Sequence, residues 1–92
     1  MESKLFTPVT FGPLTLRNRT IRSAAFESMC PGNAPSDMLL DYHRSVAAGG
    51  IGMTTVAYAA VTQSGLSFDR QLWMRPEIIP GLRKLIDAIH AE

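Results

Sequence analysis

A pair of glycines stands between a helical pattern and a strand pattern, and this junction limits what the chain can become. Ser36–Ala48 opens on a good N-cap residue with Asp37 in its first turn. Its apolar positions Leu39, Leu40, Val46 and Ala47, with Tyr42 and His43 between them, suit one buried helical stripe. Gly49-Gly50 ends the helix, because glycine readily takes the left-handed conformation that stops one. Ile51–Ala57 follows at once, nearly continuous in apolar and β-branched residues, and such a run fits a strand covered on both faces, as in a parallel sheet.

An earlier strand precedes the helix. Thr20–Glu27 leaves the basic turn Arg17-Asn18-Arg19, where Asn18 can bond to nearby backbone, and ends in the small residues Ser23, Ala24 and Ala25 followed by Phe26 and Glu27. Met29–Pro35, with Pro31, Gly32, Asn33 and Pro35, is a loop. Strand, loop, helix, glycine stop and second strand make a βαβ unit, whose crossover is right-handed. Before it, Val9-Thr10-Phe11 and Leu14-Thr15-Leu16 alternate around Gly12-Pro13 and read as a hairpin. Its apolar residues are too few for a core and suit a cover on one end of something larger. After it, with Tyr58 at the end of the second strand, Ala59–Arg75 is a long connection holding Gly65, Asp69, Arg70 and the single Trp73, and long βα loops usually carry function. A second helix runs from Ile79 to the end, with Pro80 in its first turn and Ile79, Leu82, Leu85, Ile86 and Ile89 as its stripe, and no third strand is expected.

Two βα units leave two open sheet edges and an unshared apolar face, whereas parallel sheets normally have both faces covered. A closed (β/α)8 barrel takes about 250 residues, so 92 residues read as the N-terminal hairpin plus the first two βα units of an α/β TIM barrel, left incomplete. Exposed edges of this kind invite self-association. A net charge of +1 from scattered charges gives no field that argues for nucleic acid or an anionic membrane. No stretch approaches the roughly 20 apolar residues of a membrane helix. The lone Cys30 suits a reducing, cytoplasmic setting, and no His/Cys cluster has metal-ligand spacing, so no metal is expected.

Taken in order, Leu5-Phe6-x-Pro8, Gly12-x-Leu14-x-Leu16-x-Asn18-Arg19, Ser23-Ala24-Ala25, Gly49-Gly50-Ile51-Gly52-Met53, Val61-x-x-x-Gly65 and Ile79-Pro80-Gly81-Leu82-x-x-Leu85-x-x-Ala88-x-His90-Ala91 carry a resemblance. The chain resembles the start of the Old Yellow Enzyme family of NADH:flavin oxidoreductases. That resemblance implies a TIM barrel holding FMN non-covalently at the C-terminal ends of its strands, with NAD(P)H as reductant and a small-molecule acceptor such as an activated alkene. By position it puts Ser23, Ala24, Ala25 and Phe26 against the flavin and the backbone of Ala60 near the flavin's reactive edge. It places no catalytic residue in this stretch; an iron–sulfur cluster, which some longer relatives hold, belongs to regions beyond it.

Departures from the family pattern are local. Where many relatives place a threonine or cysteine that tunes the flavin, this chain has Phe26; where one branch has a substrate-holding tyrosine, it has Ser28. Glu27, Ser28 and Tyr58 are candidate substrate-binding residues. Glu27 reads either as a pocket carboxylate or as a surface carboxylate paired with an arginine, and Tyr58 as lining or packing. Cys30 reads as an inert loop thiol over a redox-tuning one, and His43 and His90 as structural, since barrel helices sit away from the strand ends. Arg17, Arg19 and Arg22 read as a solvated or salt-bridged rim. Two other functions remain open: an inactive remnant that only associates with other chains, and an aldolase-like barrel, which the absence of a lysine at a strand end disfavours.

Overall fold

The computed structural model describes residues 3–92. The hairpin forms as its alternation dictates: β1 (Val9–Phe11) pairs antiparallel with β2 (Leu14–Leu16), in the register Val9 to Leu16 and Phe11 to Leu14. Gly12 has φ +52°, the positive value that a primed two-residue hairpin turn needs at its first central position. Phe6, Phe11 and Leu14 remain 54–72% exposed, so the hairpin presents apolar surface that this stretch does not bury itself.

β3 (Ile21–Arg22) runs parallel to β4 (Met53–Thr54). Between them lies α1 (Asp37–Ala48), started by Ser36, whose hydroxyl accepts from the Leu39 N–H. Both strands are shorter than the Thr20–Glu27 and Ile51–Ala57 expected, and side chains are the reason. Arg22 Nη1 donates to the Thr55 carbonyl, and the Ala57 N–H donates to Glu27 Oε1, so the groups that would extend the ladder are already occupied. A further correction lies in the long connection. β5 (Ala59–Ala60) pairs parallel with β6 (Leu72–Trp73), a strand that the apolar Leu72-Trp73-Met74 run could have signalled. α2 (Ile79–His90) follows and packs beside α1.

The buried core is Cys30, Leu39, Leu72, Ile78 and Leu85, with Met29, Ala34, Val56, Leu82 and Ile89 around it. It joins the two helices to the loops that leave β3 and β5. The α1 stripe is Leu39, His43 and Ala47, so His43 belongs inside it, while Leu40 and Val46 are only half-buried. On the other side of the sheet Ile21 and Met53 stay open, and the radius of gyration, 14.7 Å, exceeds the about 12 Å of a compact domain this size. The strands pair as three separate two-stranded sheets, and no barrel is closed among the described residues.

The arginines around the turn into β3 fit the solvated or salt-bridged rim expected, with Arg17 and Arg19 exposed and Arg22 paired with Glu27, but Arg17 also ties distant segments together. Arg17 donates to the backbone carbonyls of Ala47, Ile51 and Glu92, clamping the ends of α1 and α2 to the approach of β4. Asn18, 7% exposed, donates to the Gly50 carbonyl, and its Oδ1 accepts from the N–H and hydroxyl of Thr20. This packing leaves Gly52 no room: a Cβ there would stand 2.6 Å from the Asn18 carbonyl oxygen and side chain and 2.8 Å from the Thr20 carbonyl oxygen. Gly52→Ala is therefore expected to destabilise the fold by about 1–3 kcal/mol, read as a lower urea midpoint; an unchanged midpoint would contradict this packing.

Candidate functional site

At the C-terminal end of β3 the chain runs on as Ser23, Ala24, Ala25 and Phe26, all four exposed. Among the described residues, no backbone hydrogen bond is made by Ala24, Ala25 or Phe26. Small side chains beside unused N–H and C=O groups form a ledge onto which a flat polar molecule can settle. Phe26 ends the ledge and meets Tyr58 edge-on, with ring centroids 5.5 Å apart. Phe68, which the sequence reading did not single out, completes the group at 4.7 Å from Phe26 and 6.0 Å from Tyr58. The only signal for it was an aromatic residue in a long βα connection.

The other expected residues divide. Ala60 is 5% exposed, covered by β6, and its carbonyl accepts from the Met74 N–H at 2.8 Å, so it does not share the open ledge. Ser28 holds φ +52°, a left-handed conformation that costs a non-glycine residue roughly 1 kcal/mol, and it turns the chain away from Glu27 into the next loop. Glu27 is the main surprise. Its side chain is 2% exposed, in contrast to a surface pairing.

Glu27 ties together three segments. Oε1 accepts the Ala57 N–H at 3.1 Å, while Oε2 lies 3.0 Å from Arg22 Nη2 and 2.7 Å from His43 Nε2. Arg22 reaches the Thr55 carbonyl and the Tyr42 hydroxyl and stacks over the Tyr42 ring at 4.9 Å. His43, wholly buried, has its Nδ1 at 2.9 Å from the Thr54 hydroxyl. His43 Nε2 faces Glu27 Oε2 closely, yet neither atom makes a hydrogen bond, and both are buried. Burial lowers the His43 pKa; Glu27 opposes that shift and Arg22 adds to it. Oε1 is taken by the Ala57 N–H, whereas Oε2 and His43 Nε2 are buried without a hydrogen bond, so charge and proximity are what hold Oε2 among its neighbours. His43 was missed as part of this group, although a histidine four residues from both Leu39 and Ala47 on a buried stripe marks a side chain that needs a polar partner.

Cys30 sits in the core, and burial, followed by the charge of Glu27, pushes its thiol up to about 11. It is protonated near neutral pH and unreactive, as the inert reading held.

Residues 4–92 match the family model for the NADH:flavin oxidoreductase / NADH oxidase family. This chain belongs to that family. It is 50% identical over 88 residues to a 4,4'-dithiodibutanoate disulfide reductase of Rhodococcus erythropolis, covering 96% of this chain and 22% of that protein. It is 34% identical over 90 residues to a metal reductase of Desulforamulus reducens, covering 98% of this chain and 14% of the relative. Among solved structures, a complex of 2-naphthoyl-CoA reductase superposes with a TM-score of 0.89 at 27% identity, over 96% of this chain and 14% of that one. An old yellow enzyme homologue from Zymomonas mobilis gives 0.85 at 19% identity, over 97% and 25%, and supports the fold alone. The chain thus spans about a fifth of the length of its curated disulfide-reductase relative. Its hairpin, βαβ unit and second helix are the opening part of a TIM barrel of the Old Yellow Enzyme type.

Removing one partner of a buried ion pair costs about 3–5 kcal/mol, so Glu27→Leu, which leaves Arg22, His43 and the Ala57 N–H without their partner, should lower the denaturation midpoint far more than Glu77→Leu at an exposed pair. Similar losses for the two variants would contradict the buried network. His43 contributes a pH dependence of known sign. Its folded pKa lies below the ordinary 6.5, so on acidification the unfolded chain takes up the proton first. Between 6.5 and the folded value stability falls as pH falls; His43→Asn should flatten that part of a urea-midpoint profile, with Glu27 and Arg22 still in place.

Proposed function

We propose that these residues form one wall of the flavin site of an FMN-dependent oxidoreductase, in which NAD(P)H is the reductant and an activated alkene or related small molecule is the acceptor. The observation that carries this reading is the exposed run Ser23, Ala24, Ala25 and Phe26 at the C-terminal end of a parallel strand, with the backbone of Ala24, Ala25 and Phe26 making no hydrogen bond among the described residues. In α/β barrels that end is where ligands bind. When bound there, FMN would supply the two-electron transfer from nicotinamide to acceptor that no side chain provides.

The chain's own residues have three tasks in this account. Ala24, Ala25 and Phe26 offer backbone donors and acceptors to the polar edge of the isoalloxazine, while the small side chains of Ser23, Ala24 and Ala25 allow close approach. Ala60 bounds the site at the end of β5. Phe26 and Tyr58, joined by Phe68, shield one rim from water, which strengthens every electrostatic contact inside. Phe26 brings no hydrogen bond to the flavin, so its tuning falls to these backbone groups. No residue in this stretch is assigned a proton transfer.

A second acceptor class follows from the 50% identity to a disulfide reductase: an organic disulfide, taken with two electrons and two protons to two thiols. Purification of the complete oxidoreductase and reconstitution with FMN should give a yellow protein that oxidises NADH or NADPH when an acceptor is added. Comparing cyclohexenone with dithiodibutanoate separates the two acceptor classes. A colourless protein after reconstitution would overturn the flavin reading and leave association with other chains as the better account.

A further inference from the structure

Phenyl rings in mutual contact usually belong to a core, yet Phe26 and Phe68 are 53% and 46% exposed. They form the apolar side of an open groove whose remaining lining is Ser28, Ser67, Asp69 and Arg70. The backbone carrying this lining is pinned. The Arg70 carbonyl accepts from the Cys30 N–H at 3.0 Å, the Asp69 carbonyl from Asn33 Nδ2 at 3.0 Å, and the buried Gln71 side chain from the Ser67 N–H at 2.7 Å. A preorganised backbone thus presents side chains that are themselves uncommitted.

Arg70 shares with Arg83 of α2 an exposed guanidinium without a partner among the described residues, and of the two only Arg70 lines the groove. Arg17, Arg19, Arg22, Arg44 and Arg75 each hold partners on the protein. The Arg70 guanidinium is exposed and makes no ion pair or hydrogen bond among the described residues. Asp69, its neighbour in the groove, is exposed and likewise unpaired among them.

We propose that this groove binds an amphiphilic monocarboxylate, its apolar ring or chain laid against Phe26 and Phe68 and its carboxylate held by Arg70. Exposed aromatic rings in a groove gain most from an apolar ligand. A guanidinium fork matches a carboxylate with paired, charge-assisted hydrogen bonds. Asp69 sets the upper limit on the charge of the ligand's head group: it offsets Arg70, so the groove is close to neutral, and it repels a doubly charged head group such as phosphate. Because Phe26 also ends the flavin ledge, a molecule in this groove lies beside it, and the groove becomes the acceptor's carboxylate subsite. That assignment rests on the flavin reading, whereas binding itself can be measured separately.

The test is calorimetric titration of the complete oxidoreductase with phenylacetate and with phenylacetamide, its neutral counterpart. The acid is expected to bind about tenfold tighter than the amide, Arg70→Gln to abolish that difference while leaving the amide unchanged, and Phe68→Ala to weaken both. Thermal melting of the Arg70→Gln protein beside the wild type confirms that the variant is folded when it is titrated. Equal affinity for acid and amide, failure to bind either, or a preference that survives Arg70→Gln would overturn the proposal. So would inorganic phosphate competing with phenylacetate as strongly as phenylacetate itself binds. Visible flavin absorbance of the same samples reports on the other reading: a colourless protein that keeps the Arg70-dependent preference retains the groove and loses the flavin site.

Discussion

A single carboxylate holds the working end of this structure together. Glu27 receives the Ala57 N–H, faces Arg22 and contacts the imidazole of His43, so one side chain joins the segment after β3, the segment after β4 and the middle of α1. Burying a charge is unfavourable unless partners compensate it, and replacing an ion pair with apolar groups is often neutral or better. What this group contributes is therefore placement. Apolar contacts would hold α1 on the sheet, but they would not dictate where the two strands stop pairing.

That stopping point makes the candidate site. Beyond Arg22 and Thr54 the ladder bonds give way to side-chain bonds, through Arg22 to Thr55 and Glu27 to Ala57. The freed backbone of Ala24–Phe26 then stands open as a ledge, and the chain beyond β4 swings out to bring Tyr58 beside Phe26 and to start β5. The loop after β5 returns through β6 and is tied to the first βα loop by Cys30 to Arg70, Asn33 to Asp69 and Gln71, and Arg75 to Asn33. Two loops from neighbouring strands form one rigid rim, with the aromatic groove along it.

Much of this was legible in the residues. The glycine stop, the Ser36 cap, the hairpin turn and the stripe of α2 act through local chemistry, and local chemistry is what a sequence displays. The ledge was legible too, since Ser23-Ala24-Ala25 at a strand end has few other uses. What escaped was non-local. Arg22, five residues before Glu27, was a visible partner, but the interior position of Glu27 also depends on His43 and the Ala57 N–H arriving from two other segments, and nothing within the stretch around Glu27 reveals those. The strand lengths were overestimated for the same reason, because the groups that interrupt the ladder are side chains whose partners lie some 30 residues away. β6 was hidden in a connection whose polar residues outnumber its short apolar run, and Phe68 acquired meaning only once that connection had folded back onto Phe26.

If the Glu27 group keeps a strand end unpaired for the flavin, amide hydrogen exchange on the complete oxidoreductase, with and without FMN, will register it. The Ala57 amide should be protected in both states because it is bonded to buried Glu27, and the Ala24, Ala25 and Phe26 amides should exchange freely in the apoprotein and become protected when FMN binds. Ready exchange at Ala57, or protection of Ala24–Phe26 that does not respond to FMN, would contradict it.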